Sequence, residues 1–187
     1  NSKKNIINKF QFKNKENKEV WSTFNLLSNE PSECLGAYVI SMTSSASDIL
    51  SVSFLQKEAK IKNKLRVVPL FETLDDLINA KSIMENLFSH KWYRNLIKHK
   101  QEVMIGYSDS SKDAGKMCAS WHQYKAQEEI VKLGNKYKID ITFFHGRGGS
   151  AGRGGGPIQA TLRSLPPHSV NGKIRITDQG EVIQQKY

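Results

Sequence analysis

Apolar runs of strand length alternate with helical patterns along the chain. Five such runs begin near positions 37, 66, 103, 139 and 173. The alternation predicts a parallel sheet with helical crossovers. A complete eight-stranded barrel takes about 250 residues, which is more than this chain has. Two architectures therefore fit the pattern, a doubly wound sheet and part of a (β/α) barrel. Pro69 interrupts the second run, and proline usually demotes a strand to an edge or a bulge.

The segments between the runs carry helical stripes. A first helix is predicted over 18–29, a second is capped by Ser47, and a capping box of Thr73 and Asp76 opens a third. A long fourth helix is predicted from about Asp113 to Leu133. The residues expected to face the core are Val20, Phe24 and Leu27 in the first helix, Leu50, Phe54 and Leu55 in the second, Leu77, Met84, Leu87 and Phe88 in the third, and Met117, Cys118, Trp121 and Tyr124 in the fourth.

Composition narrows the class of protein. The 187 residues carry a formal net charge of +10, and 22 lysines outnumber six arginines. Residues 1–17 are rich in Asn and Lys and are predicted to be a flexible low-complexity segment, separate from a domain over 18–187. The sequence has no transmembrane run and no zinc-type spacing of Cys and His, and its two cysteines fit a reducing, cytoplasmic compartment. A basic patch of this kind is usually a solvated surface, although nucleic-acid binding is an alternative.

Chemically active residues follow three neighbouring strands at the point where each strand ends. Glu72 follows the second run, Asp109 and Lys112 follow the third, and His145 and Arg147 follow the fourth. The carboxyl ends of parallel strands form one rim, where the active sites of such folds lie. Two carboxylates at this rim suit Mg²⁺ or a similar hard cation that keeps water and substrate oxygens as its other ligands. Acid–base catalysis by the pair is the alternative.

A glycine-rich loop follows the fourth strand. Residues 146–156 (GRGGSAGRGGG) hold seven of the 13 glycines, and Arg147 and Arg153 lie among them. Successive backbone N–H groups can form an anion nest, and guanidinium groups bind phosphate or carboxylate in a bidentate way. The loop therefore predicts an anionic substrate. A dinucleotide fingerprint and an RNA-binding Arg/Gly segment match it less well. His145, next to the loop, is either a proton-transfer residue or a buried packing residue.

The motifs together resemble phosphoenolpyruvate carboxylase. The matching stretches occur in family order over about residues 18–187, and they include VVPLFETLDDL, EVMIGYSDSSKDAGK, FFHGRGGSAGRGGGP and RITDQGEVI. The resemblance implies a partial (β/α) TIM-type barrel with extra helices, as a fragment of a larger helix-rich enzyme. That enzyme joins phosphoenolpyruvate and bicarbonate to give oxaloacetate and phosphate, through carboxyphosphate and a metal-stabilised enolate.

The resemblance also implies roles for individual residues. Glu72 and Asp109 look like the ligands of Mg²⁺ or Mn²⁺, and Lys112, His145 and Arg153 look like catalytic residues. Arg147, Gly148, Gly149 and Arg153 look like the residues that bind substrate. Aspartate or malate is implied as an inhibitor at Arg153, and a homotetramer as the assembly, with neither nucleic acid nor a membrane as a partner.

Part of the family's site has no counterpart in this sequence. The family's other catalytic histidine and further phosphate-binding arginines are absent, and Ser111 stands where Ala or Gly is common. We therefore expect the chain by itself to be inactive or nearly so, serving as a structural unit of the longer enzyme.

Overall fold

The structure is a computed structural model that describes residues 14–146 and 158–177. In these ranges the chain forms a parallel sheet of five strands in the spatial order β1-β2-β3-β4-β5. The strands are β1 (Ala37–Ile40), β2 (Arg66–Phe71), β3 (Lys100–Gly106), β4 (Asp140–Gly146) and β5 (Arg175–Ile176). A barrel places successive strands side by side in this way, whereas a doubly wound sheet reverses its strand order. The α/β class is confirmed, and the sheet is an incomplete barrel wall.

Helices connect the strands. They are α1 (Lys15–Asn29), α2 (Ala46–Glu58), α3 (Leu74–Ser89), α4 (Lys91–Leu96), α5 (Ser108–Ala114), α6 (Lys116–Tyr137) and α7 (Ile158–Arg163), with a short 3₁₀ turn at Ser32–Cys34. Most of the predicted low-complexity segment 1–17 lies outside the described residues, and α1 begins within it. Among the described helices, none combines the length and the apolar character needed to cross a lipid bilayer.

The helix starts follow from side-chain caps. Thr73 Oγ1 accepts a hydrogen bond from the Asp76 backbone N–H at 3.1 Å, and the Asp76 carboxylate accepts one from Thr73 N at 3.0 Å, so the predicted capping box of α3 is confirmed. The prediction of Ser47 as a cap was wrong by two residues. Asp48 accepts from the backbone of Ser45 at 2.8 Å, which makes Ser45 the N-cap of α2.

The main core lies between the sheet and the helices. Val103 and Ile105 of β3 and Phe143 of β4 bury one face of the sheet against α3 and α6. The predicted stripe of α3 (Leu77, Met84, Leu87, Phe88) is buried as expected. A smaller cluster of Phe24, Val52 and Ile61 joins α1 to α2. In α2 the buried residues are Ile49, Val52 and Gln56, whereas Phe54, predicted to face inward, is 43% exposed.

The predicted long helix is interrupted, and the face that it buries is not the predicted one. Gly115, with φ of 76°, separates α5 from α6. The face predicted to be buried is instead the outer one: Met117 is 89% and Trp121 58% exposed, Cys118 is exposed and Tyr124 is only partly buried. The buried face carries Ala119, Gln123, Ala126, Gln127, Ile130, Leu133 and Gly134. Ala119, Ala126 and Gly134 let α6 approach its neighbours closely, and a Cβ at Gly134 would lie only 2.7 Å from Ile141 Cγ1, so the more apolar stripe does not mark the core side.

Pro69 lies inside the sheet, contrary to the expectation of an edge or a bulge. β2 pairs with β1 through Arg66–Pro69 and with β3 through Leu70 and Phe71. Pro69 is thus the last residue paired with β1, where a missing N–H interrupts little of the ladder. The Gln101 side-chain amide donates to Val67 O at 3.0 Å and so supplies a bond to this part of β2 from β3.

The turn between α4 and β3 is built from residues that rarely adopt its backbone conformation. Lys98 and His99 both have positive φ, 52° and 56°, and Lys100 N donates to Ile97 O at 3.0 Å. This is the pattern of a type I′ turn, which favours Asn-Gly at its centre. The double change Lys98→Asn with His99→Gly should raise the free energy of unfolding by about 1 kcal/mol, because the relief of backbone strain at two residues outweighs the loss of the exposed hydrogen bond between His99 Nδ1 and Lys138 O.

Chemical denaturation of the chain measures this change. Lys64→Asn is the control, because Lys64 is an exposed lysine whose φ is not positive. A double variant no more stable than the control would show that the turn is not strained.

Candidate active site

The carboxyl ends of β2, β3 and β4 lie side by side. Gly106 of β3 pairs with Gly146 of β4, and Glu72 follows the last paired residue of β2. A Cβ added at Gly106 would lie 2.6 Å from Glu72 Cβ and 2.9 Å from Glu72 Cα. Only glycine fits at position 106, so Glu72 packs directly against the backbone of β3. The sequence did not indicate this role for Gly106, which lies outside the glycine-rich loop.

The Glu72 carboxyl group is partly buried and is repelled by other negative charges. Burial raises the pKa of its carboxyl group above the ordinary value of 4.5, and a hydrogen bond from Met42 N at 3.4 Å opposes this shift. The negative charges of Asp109 and Asp76 raise the pKa of Glu72 further. Glu72 and Asp109 follow the ends of neighbouring strands, and their role as metal ligands stays a prediction.

Asp76 has a different task from the other two carboxylates. Its Oδ2 accepts from Glu72 N at 3.2 Å and from Thr73 N at 3.0 Å, which fixes it as the carboxylate of the α3 capping box. Asp109 and Lys112 both lie on α5, where Lys112 Nζ is 2.9 Å from Asp109 Oδ1. Both side chains are mostly exposed, so this ion pair is weak and leaves Asp109 available to another cation.

His145 is turned away from Glu72. In β4 it shares the helix-facing side with Phe143, while its neighbour Gly146 lies beside Gly106 on the other side. The ring is completely buried, and its Nδ1 lies 2.8 Å from the Tyr107 hydroxyl oxygen. The structure thus places His145 at the expected strand end, in the buried setting that the packing alternative described. Its catalytic role stays a prediction.

The remaining predicted residues lie in the glycine-rich loop. Arg147, Gly148, Gly149 and Arg153 fall outside the described residues. His145 and Gly146 lie directly before this segment and Ile158 directly after it, so the loop starts at the rim that carries Glu72 and Asp109.

Several positioning residues were not found from the sequence. Ser110 Oγ and Gln123 Nε2 both donate to Gly106 O at 3.2 Å, and Gln123 also donates to Ser110 Oγ at 2.8 Å. All three groups are buried, so the bonds hold α5 and α6 against the end of β3. Nothing in the pattern of apolar and polar residues indicated this packing role for Ser110 and Gln123. The Met42 N–H could not be found either, because backbone donors are invisible in a sequence.

The donor set fits a hard divalent cation. Among the described residues no group of three or more His, Cys, Asp or Glu side chains could hold a metal by itself. Two carboxylates with water and substrate oxygens are a common arrangement for Mg²⁺. A cation between Glu72 and Asp109 would also remove the repulsion that raises the pKa of Glu72.

Comparison with known proteins gives a consistent picture. The family model described as phosphoenolpyruvate carboxylase matches residues 1–187. Phosphoenolpyruvate carboxylase 3 of Arabidopsis thaliana is 56% identical over 175 residues, and phosphoenolpyruvate carboxylase of Flaveria pringlei is 55% identical over 175 residues. Both alignments cover 94% of this chain, which spans only 18% of the length of either relative.

The contact between Gly106 and Glu72 makes a testable prediction. Gly106→Ala should lower the free energy of unfolding by about 1–3 kcal/mol, because the added methyl group overlaps the Glu72 backbone and Cβ. Gly36→Ala is the matched control, because a Cβ at Gly36 meets nothing within 4 Å. Urea denaturation compares the two variants, and an equal effect at both positions would contradict the close approach.

The raised pKa of Glu72 predicts a pH dependence of stability. The folded chain keeps the Glu72 proton to a higher pH than the unfolded chain, so Glu72 lowers stability as the pH rises from about 4.5 through its folded value. Glu72→Gln should therefore become more stable relative to the unchanged chain as the pH rises from 4.5 to 7. Metal-free unfolding curves at several pH values measure this difference, with Glu19→Gln as an exposed control. A stability difference that falls with pH would contradict the sign.

Proposed function

The chain belongs to the phosphoenolpyruvate carboxylase family, and on this premise we propose that it supplies part of the active site of a longer carboxylase. The proposed reaction joins phosphoenolpyruvate and bicarbonate to give oxaloacetate and phosphate, by way of carboxyphosphate and the enolate of pyruvate. The observation that supports the proposal is that Glu72 and the Asp109-bearing helix α5 directly follow the neighbouring carboxyl ends of β2 and β3, beside the end of β4 that precedes the Arg- and Gly-rich segment. The comparisons give no support to the nucleic-acid alternative.

In this proposal Glu72 and Asp109 hold Mg²⁺ or Mn²⁺. The bound ion supplies positive charge that stabilises negative charge developing on a substrate oxygen. Glu72 is suited to this task by its partial burial and by the missing side chain of Gly106, which lets Glu72 pack directly against the end of β3. Asp109 lies on a different element, α5, so the two carboxylates would contact the ion from two separate elements.

The cationic residues would act on the phosphate and carboxylate groups of the substrates. Lys112 lies one helical turn after Asp109, and its exposed ammonium group would add positive charge at the same rim. We propose Arg147 and Arg153 as bidentate partners of the anionic substrates, with Gly148 and Gly149 as further substrate-binding residues. Preformed positive charge of this kind stabilises a transition state without reorganisation during the reaction.

His145 is proposed as a catalytic residue at the base of the loop. Its complete burial favours the neutral imidazole, which can donate a proton from one ring nitrogen and accept at the other. In the longer enzyme we further propose a homotetramer, and binding of aspartate or malate at Arg153.

Ligand protection tests the carboxylate pair. Mn²⁺ together with phosphoenolpyruvate should raise the midpoint of thermal unfolding of the chain, because a ligand that binds only the folded state stabilises it. Glu72→Gln or Asp109→Asn should abolish the increase, whereas Asp75→Asn, an exposed carboxylate on α3, should preserve it. Undiminished protection in both site variants would contradict the proposed ligands. We expect no oxaloacetate formation by the chain alone.

A further inference from the structure

Tyr107 occupies the junction between two parts of the proposed site. It follows the last residue of β3 and is the N-cap residue of α5, the helix that carries Asp109 and Lys112. Its hydroxyl oxygen lies 2.8 Å from Nδ1 of His145, one residue before the end of β4. A single hydrogen bond therefore joins the start of α5 to the strand end from which the glycine-rich loop departs.

Both partners of this bond are held in place. The His145 ring is completely buried and lies 6.3 Å from the Phe143 ring, centroid to centroid. The His145 carbonyl accepts from Thr177 N of the β5 region at 3.0 Å. On the other side, the Tyr107 carbonyl accepts from Ser111 Oγ at 2.7 Å, within α5. The side-chain bond thus connects two backbones that are themselves fixed.

The chemistry of the two groups indicates which one donates. A buried imidazole is favoured in its neutral form, with one ring nitrogen as donor and the other as acceptor. A phenolic hydroxyl donates better than it accepts, because its oxygen lone pair is delocalised into the ring. A bare imidazole nitrogen is in turn a good acceptor. Donation from Tyr107 to Nδ1 requires the His145 proton to be on Nε2.

We propose that Tyr107 is a positioning residue whose hydroxyl donates to His145 Nδ1. The bond holds His145 in the Nε2–H tautomer. It also connects α5, the helix that carries Asp109, to the end of β4 that precedes the glycine-rich loop. The tautomer can be tested on the chain alone, whereas the effect on catalysis rests on the proposed function. Tyr107 does not need to touch a substrate to play this part, because it acts through His145 and α5.

Nitrogen NMR of the ¹⁵N-histidine-labelled chain tests the tautomer. The five histidines can be assigned by single His→Gln variants. We expect the His145 signals of a protonated Nε2 and a bare, hydrogen-bonded Nδ1, and Tyr107→Phe should move the Nδ1 signal. A protonated Nδ1 in the unchanged chain would overturn the proposal. Tyr124→Phe is the matched control, because it removes the hydroxyl of another partly buried tyrosine and should leave His145 unchanged.

A second variant covers the case in which Tyr107→Phe does not fold. Incorporation of 3-fluorotyrosine at position 107 keeps the ring and the hydroxyl but makes the phenol more acidic. If Tyr107 donates, the bond to Nδ1 strengthens and the Nδ1 signal shifts further towards the hydrogen-bonded value. A shift towards the free value would show that Tyr107 accepts, and would overturn the proposal.

Kinetics in a complete enzyme test the positioning role. This chain can be grafted into the Arabidopsis relative in place of the matching segment, with which it shares 56% identity. Tyr107→Phe in the graft should lower kcat about tenfold and change KM for phosphoenolpyruvate much less, because the substrate contacts remain. Tyr124→Phe should change neither parameter. An unchanged kcat would overturn the positioning role, whereas an inactive unsubstituted graft would contradict the proposed function and leave the NMR result standing.

Discussion

Seven consecutive residue pairs join β3 to β4, from Lys100 opposite Asp140 to Gly106 opposite Gly146, and the candidate site depends on this register. A shift by one residue would exchange the two faces of a strand. Gly106 would then no longer leave room for Glu72, and His145 would leave the core for the open face. The hydrophobic set of Val103, Ile105 and Phe143 opposes such a shift, because it must stay buried against α3 and α6.

The face of the sheet that points away from α3 and α6 carries a buried ionic cluster beside apolar residues such as Val68 and Phe144. Glu102 is 93% buried and binds Arg66 at 2.5 Å and Arg175 at 2.8 Å, so it connects β2 and β5 across the strands between them. The Arg175 guanidinium also lies over the Phe144 ring, 4.4 Å from its centre. A buried carboxylate needs such partners, because an unpaired charge in this position would be costly. Glu102 precedes Gly106, the last residue of β3, by four residues. The ionic cluster is therefore separate from the carboxyl ends of the strands, where Glu72 lies.

The rim combines rigid and strained features. Ser110, Gln123 and the Gly106 carbonyl form a closed hydrogen-bond network, which fixes α5 without using Asp109. The Glu72 backbone N–H donates to Asp76 of the α3 capping box, whereas the negative charges of Asp109 and Asp76 both repel the Glu72 carboxylate. Carboxylates held near one another against their repulsion are typical of functional sites, since stability and function make opposite demands on the same side chains.

Local patterns in the sequence determined the strands and the capping box of α3, because strand formation and capping depend on neighbours along the chain. They did not determine which stripe of α6 is buried, how Pro69 fits inside the sheet or which way His145 faces. Those features were decided by the tertiary structure. Close approach of α6 favours small residues over apolar ones, the pairing of β2 changes partner at Pro69, and the pleat of β4 directs His145 towards Tyr107, which no spacing in the sequence encodes.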